Sequence, residues 1–202
     1  MLTFYHASWS RSGRIMWLLE ELGADFEIVQ VDIERPQFGV GARDPRNPHP
    51  DGKVPALRDG DALVTESAAV ALYLTERFPQ PNLGADPGSA ERGAFLSWIA
   101  WVAGELEPAV WSRMEPGGRN PIADRRFEAV RRRLSDALSR GPWLMGDRFT
   151  AVDVMVASTL AWAREHLPED AALDAYLERA TARPANAWAM AKDGPPPQLP
   201  QT

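Results

Sequence analysis

Two short segments, Gly52-Lys53-Val54-Pro55-Ala56-Leu57 and Thr65-Glu66-Ser67-Ala68-Ala69-Val70, restrict the possible folds of this chain more than any other stretch. Between them, Val54 to Leu57 and Ala62 to Val64 flank Arg58-Asp59-Gly60-Asp61, whose Asp-Gly pair signals the turn of an antiparallel hairpin. From Glu66 to Phe78, Val70, Leu74 and Phe78 recur every fourth residue as on one face of a helix, which Pro79 and Pro81 end. A cis Val54-Pro55 bond turns an extended backbone ledge outward beside a helix start near Ser67. The free N–H groups and partial positive charge at such a start attract a carboxylate. The ligand that these features call for is a short acidic peptide.

Upstream, Leu2 to Tyr5 reads as a buried strand. Ile15, Leu18, Leu19 and Leu22 follow at helical spacing, and Gly23 can end that helix. Phe26 to Val31 alternates as a second strand would, completing a βαβ unit. Residues 34 to 53, rich in proline and glycine, form irregular chain in which no helix is placed. The first domain therefore spans residues 1–79, with a linker at 80–86.

Beyond the linker no strand signal appears. Asp86 and Pro87 read as the cap and first turn of a long helix carrying Phe95, Trp98, Ile99, Val102 and Leu106. Further helical patterns cover Asp124 to Ser139, Ala151 to Glu165, Ala171 to Ala180 and about Pro184 to Ala191. An all-helical domain over 87–193 results, followed by a proline-rich, flexible tail at 194–202. The apolar character of Ala151 to Ala163 runs nearly all the way round, which puts that helix at the centre of the bundle. Thr150 and Asp153 read as a capping pair with Phe149 as a staple, not as catalytic groups.

Charge and composition exclude several functions. A net charge of −6 offers no counterpart to nucleic acid or an anionic membrane, and Arg131-Arg132-Arg133 reads as a solvated helix face. The absence of cysteine removes disulfides, thiolate metal sites and any protein thiol nucleophile. His6, His49 and His166 are too scattered to suggest a metal site. With no secretory signal and no apolar segment long enough to span a bilayer, the expectation is a soluble cytoplasmic protein.

The order of a βαβ unit, a ledge, a hairpin, a helix, a linker and an all-helical domain resembles the cytosolic glutathione S-transferase family across essentially the whole chain. The segments Arg14-Ile15-Met16-Trp17-Leu18-Leu19-Glu20-Glu21-Leu22-Gly23, Lys53 to Leu57, Thr65 to Val70 and Phe149 to Asp153 look like family hallmarks and occur in family order. Similarity to serine-type, bacterial-like members implies an α/β thioredoxin-like amino-terminal domain (βαβ-ββα) followed by an all-α domain, in a homodimer. It also implies a detoxifying transferase with glutathione as co-substrate and an apolar electrophile as its partner. The alternative on the same fold is a non-catalytic scaffold or ligand-storage protein. A thiol oxidoreductase is disfavoured by the missing cysteine, whereas dehalogenation, ether cleavage and isomerisation stay open.

Carried onto this sequence, the resemblance implies that the Val54 main chain holds the cysteinyl backbone of glutathione beside cis Pro55. Glu66 takes the γ-glutamyl ammonium and Ser67 its carboxylate, with Lys53 and His49 as further contacts. Lowering a thiol from its ordinary pKa of about 8.5 by about two units requires roughly 2.7 kcal/mol of preference for the thiolate. The serine-type hydroxyl that supplies it, four residues before Arg14, is Ser10, with Ser12, Ser8 and Tyr5 as alternatives. For the electrophile pocket the candidates are Trp9, Trp101 and Glu105, the last two on one helix.

Overall fold

The computed structural model describes residues 1–115, 117–118 and 120–196, so part of the expected tail lies outside the described residues. The described residues form two compact units, one made of 1–81 and 184–196, the other of 82–183.

The first unit contains β1 (Leu2–His6), α1 (Ser12–Glu21), β2 (Phe26–Gln30), β3 (Ala56–Asp59), β4 (Ala62–Thr65) and α2 (Ser67–Arg77). Its sheet has the order β2-β1-β3-β4, with β1 parallel to β2 and antiparallel to β3. This is the thioredoxin-like βαβ-ββα arrangement. Leu2, Phe4 and His6 are buried on one face of β1 while Thr3 and Tyr5 are half-buried on the other, as the period of two requires. On α1, Ile15, Met16, Leu18 and Leu19 are fully buried, and Gly23, at φ +60°, lets the chain leave the helix. Gly60, at φ +59°, and Asp61 close the hairpin, so that Asp59 pairs with Ala62.

The last helix departs from the sequence expectation. α8 (Pro184–Asp193) packs along α1 in the first unit, whereas its sequence position assigned it to the helical domain. The reason is aromatic: Trp188 meets Phe26 edge-on at 6.2 Å, and Phe26 meets Phe4 at 6.3 Å.

The second unit holds α3 (Arg92–Trp101), a π-helical turn (Val102–Leu106), α4 (Glu107–Met114), α5 (Pro121–Leu138), α6 (Ala151–Trp162) and α7 (Ala171–Thr181). Pro87 does not open α3 as its type suggested. Gly88, at φ +86°, holds that stretch in a turn, and the helix starts at Arg92. Arg133 also departs from a plainly solvated face, since its guanidinium lies 4.3 Å from the Trp98 ring centre and 4.7 Å from that of Trp101. Along α6, Val152, Val154, Val156 and Ala157 are fully buried, as the unbroken apolar pattern requires.

Thr150 and Asp153 form the capping box at the start of α6. Asp153 accepts from the Thr150 N–H at 2.9 Å, the Thr150 hydroxyl at 3.1 Å, the Leu144 N–H at 3.0 Å and the Tyr176 hydroxyl at 3.3 Å. Burial pushes its carboxyl upward, and these donors oppose that shift. Replacing Asp153 by Ala orphans two backbone N–H groups inside the core. The expected cost is about 2–4 kcal/mol of stability, read by urea unfolding; an unchanged midpoint contradicts the structural role.

Candidate functional site

Hydrogen-bond register aligns three strand ends. Tyr5 pairs with Ala56, which pairs with Thr65, so Ala7, Val54 and Ser67 each follow two residues away at the same end of the sheet. Ala7 and Val54 join Val31 in a small apolar cluster with Tyr5, Val29 and Ile33 packed against it. Tyr5 is thus half-buried packing within its strand. Val54 lies past the last β1–β3 pair, off the ladder, and its bond to Pro55 is cis, as expected.

At the start of α2, Glu66 sits at φ +69°, ψ +126°, a conformation that costs a non-glycine residue on the order of 1–3 kcal/mol. Among the described residues no side chain caps this helix. Ser67, the first residue of α2, is only 8 % exposed, and among the described residues its hydroxyl has no hydrogen-bond partner. A buried hydroxyl beside uncapped N–H groups is a place where an anion gains and none of the described residues competes. Glu66 itself is exposed, as is Lys53, which lies 3.9 Å from Asp51.

His49 is buried. Its Nδ1 accepts from the Asp51 N–H at 3.0 Å, which leaves the proton on Nε2. Asn47 accepts from the His49 N–H at 3.1 Å and donates to the Lys53 carbonyl at 2.9 Å, bracing the chain that leads into Val54. Burial lowers the His49 pKa, with Glu66 and Asp51 opposing.

The turn after β1 carries the serines. The Ser10 hydroxyl donates to the Ala7 carbonyl at 2.7 Å and lies 2.7 Å from the Ser12 hydroxyl. Ser12, fully buried, accepts from the Ala7 N–H at 3.2 Å and lies 2.8 Å from His6 Nδ1. Ser8 accepts from the Gln30 side chain at 2.9 Å. Ser10, half-buried, is therefore the more accessible of the Ser10–Ser12 pair, and Ser12 supports it from behind. Trp9 is 56 % exposed and stands at φ +56°. Its N–H donates to Asp193 at 2.9 Å, its indole to the Gly194 carbonyl at 3.2 Å, and its carbonyl accepts from Arg35 at 3.1 Å.

In the second unit Trp101 meets Trp98 edge-on at 5.1 Å under Arg133, while Glu105 is exposed on the π-helical turn.

The family model for the glutathione S-transferase N-terminal domain matches residues 1–76, and that for the C-terminal domain matches residues 100–188. The solved structure of a glutathione transferase from Methylococcus capsulatus str. Bath superposes with a TM-score of 0.77 at 31 % identity, covering 96 % of this chain and 98 % of that one. The chain belongs to the glutathione S-transferase family. Among curated relatives of this transferase, glutathione S-transferase GstA of Escherichia coli O157:H7 is 29 % identical over 87 % of this chain and 90 % of its own. Disulfide-bond oxidoreductase YfcG of Escherichia coli (strain K12) is 28 % identical over 95 % of each chain.

Sequence reasoning on this glutathione S-transferase missed His6, Arg35, Asn47 and Asp193. His6, Arg35 and Asp193 act through contacts distant in sequence, so spacing carried no signal of them, whereas Asn47 braces neighbours within six residues inside an irregular segment that has no periodicity to read; the closest hint was a polar His6 in a strand position whose neighbours alternate into the core. Burial also lowers the His6 pKa, opposed by Asp193 and assisted by Arg35. Unfolded rings take protons near 6.5, while folded His6 and His49 stay neutral to lower pH. Stability is thus fully present above 6.5 and falls as pH drops below it. Urea midpoints compared at about pH 7.5 and pH 5.5 should show that loss, and equal midpoints contradict it.

Proposed function

We propose that this chain is a glutathione transferase that binds the tripeptide across the shared end of β1, β3 and α2 and conjugates it to an apolar electrophile. The observation carrying this reading is the buried Ser67 hydroxyl at the start of α2, which has neither a hydrogen-bond partner nor a side-chain cap among the described residues. Ser67 and the neighbouring N–H groups take the γ-glutamyl carboxylate, Glu66 its ammonium, and the off-ladder Val54 backbone the cysteinyl residue. Lys53 and His49 line the approach, and His49 acts mainly by bracing the loop.

Ser10 is the donor to sulfur. The roughly 2.7 kcal/mol needed for a thiolate at neutral pH falls within the 1.5–3 kcal/mol of one hydrogen bond to a charged group. Turning toward sulfur takes the Ser10 proton from the Ala7 carbonyl, a bond that the one to the charged sulfur replaces. Trp9 stands beside the sulfur as one wall for the electrophile. The enzyme acts in the cytoplasm as a homodimer. With no cysteine of its own, the chain lacks a protein thiol with which to exchange disulfides.

Two variants test this reading. Ser67→Ala should weaken glutathione binding about 5- to 30-fold in calorimetry, about 1–2 kcal/mol, while leaving the unfolding midpoint equal or higher because no protein bond is lost. Unchanged affinity removes Ser67 from the site. In Ser10→Ala, the ultraviolet signal of the bound thiolate at neutral pH should largely vanish; an intact signal moves the donor role away from Ser10.

A further inference from the structure

We propose that His6 and Asp193 form a proton-accepting pair that takes the glutathione thiol proton through Ser10 and Ser12. The proposal rests on the glutathione reading above and adds a destination for the proton.

The path is continuous within the first unit. Ser10 Oγ lies 2.7 Å from Ser12 Oγ, and Ser12 Oγ lies 2.8 Å from His6 Nδ1. On the far side of the ring, Nε2 faces two acceptors, the Asp193 carbonyl at 3.4 Å and its carboxylate at 3.4 Å. Neither can donate, so Nε2 carries the hydrogen and Nδ1 accepts from the Ser12 hydroxyl. This is the arrangement of a carboxylate that holds an imidazole in the tautomer of a base, here with two hydroxyls between base and substrate.

The step balances. The S–H bond breaks as its proton passes to Ser10 Oγ, the Ser10 proton passes to Ser12 Oγ, and the Ser12 proton passes to His6 Nδ1. Each hydroxyl ends with one proton, the ring with two, and the sulfur keeps the electron pair. Every bond in the chain then points outward, so Ser10 donates to the thiolate and the imidazolium faces the Asp193 carboxylate.

The charged groups acting on His6 are Asp193 from α8 and Arg35 from the chain after β2. Burial and Arg35 disfavour a lone imidazolium, which keeps the resting ring neutral and ready to accept. Moving a proton from thiol to ring leaves the net charge of the site unchanged, so burial opposes it less than it opposes uptake from water. The fit of α8 to the serine turn is close. A Cβ on Gly13 would stand 3.2 Å from the Asp193 carboxylate, and one on Gly194 would stand 2.9 Å from the Ser8 hydroxyl.

His6 is fully buried and its replacement risks the fold, so the test uses Asp193, whose side chain is 13 % exposed. In Asp193→Asn, the amide oxygen can still accept from Trp9, but its NH2 faces Nε2 and favours the opposite tautomer, in which Nδ1 donates and cannot accept. Glutathione binding at pH 7 is measured by calorimetry in two buffers of different ionisation enthalpy, together with the thiolate absorbance. S-methylglutathione serves to subtract protons unrelated to the thiol. The parent protein should form thiolate while releasing far less than one proton per thiolate. Asp193→Asn should either release close to one proton per thiolate or bind glutathione without forming it. A full proton released by the parent, or a variant identical to it, overturns the relay and leaves the transferase reading standing. A parent that binds no glutathione, or binds it only as the thiol, overturns the transferase reading itself.

Discussion

The antiparallel register that sets Tyr5 opposite Ala56, and Ala56 opposite Thr65, is the constraint on which the site depends. It brings the serine turn, the Val54 ledge and the start of α2 to one end of the sheet. A slip of one residue would turn Phe4 and Leu57 out of the core and carry the three features out of line. The buried faces of β1 and β3, together with the two-residue Gly60-Asp61 turn, oppose such a slip. Core packing and site geometry are therefore one requirement. Apolar pairs secure the register, and the register places the polar groups.

Around that row the chain accepts local costs. Trp9 and Glu66 both occupy positive-φ conformations unfavourable to their side-chain types, and Ser67 buries a hydroxyl without a partner among the described residues. The three lie at the strand ends that converge, while the centre of the sheet and α6 obey ordinary patterning. Local strain beside unmet hydrogen-bonding capacity is what a preformed site for a polar ligand requires.

Much of the architecture was legible because it rests on local signals. The hairpin could be read from Asp59-Gly60, the end of α1 from Gly23, and the capping box from Thr150 and Asp153. The features that escaped depend on partners far apart in sequence. Nothing near Pro184 announces that Trp188 reaches Phe26, so the sequence position of α8 points to the helical unit while its packing is with the first. Gly88 overrode the helix-opening preference of Pro87 because the positive φ it adopts ends any helical turn there. In the candidate site the residue types at the ledge and at Ser67 were readable, since a helix start and a proline are local facts. The bracing behind them was not. His6, Asp193 and Arg35 meet the serine turn from β1, α8 and the chain after β2, and only tertiary structure joins them.

The central claim is that glutathione sits at the shared strand end with its γ-glutamyl carboxylate on the start of α2. Amide NMR of the labelled full chain during glutathione titration tests this most directly. The account predicts the largest shifts at Val54, Ser67, Ala68 and Ala69, with Ser10 and Trp9 following. Saturating glutathione that leaves those amides unmoved, or shifts chiefly residues elsewhere, contradicts it.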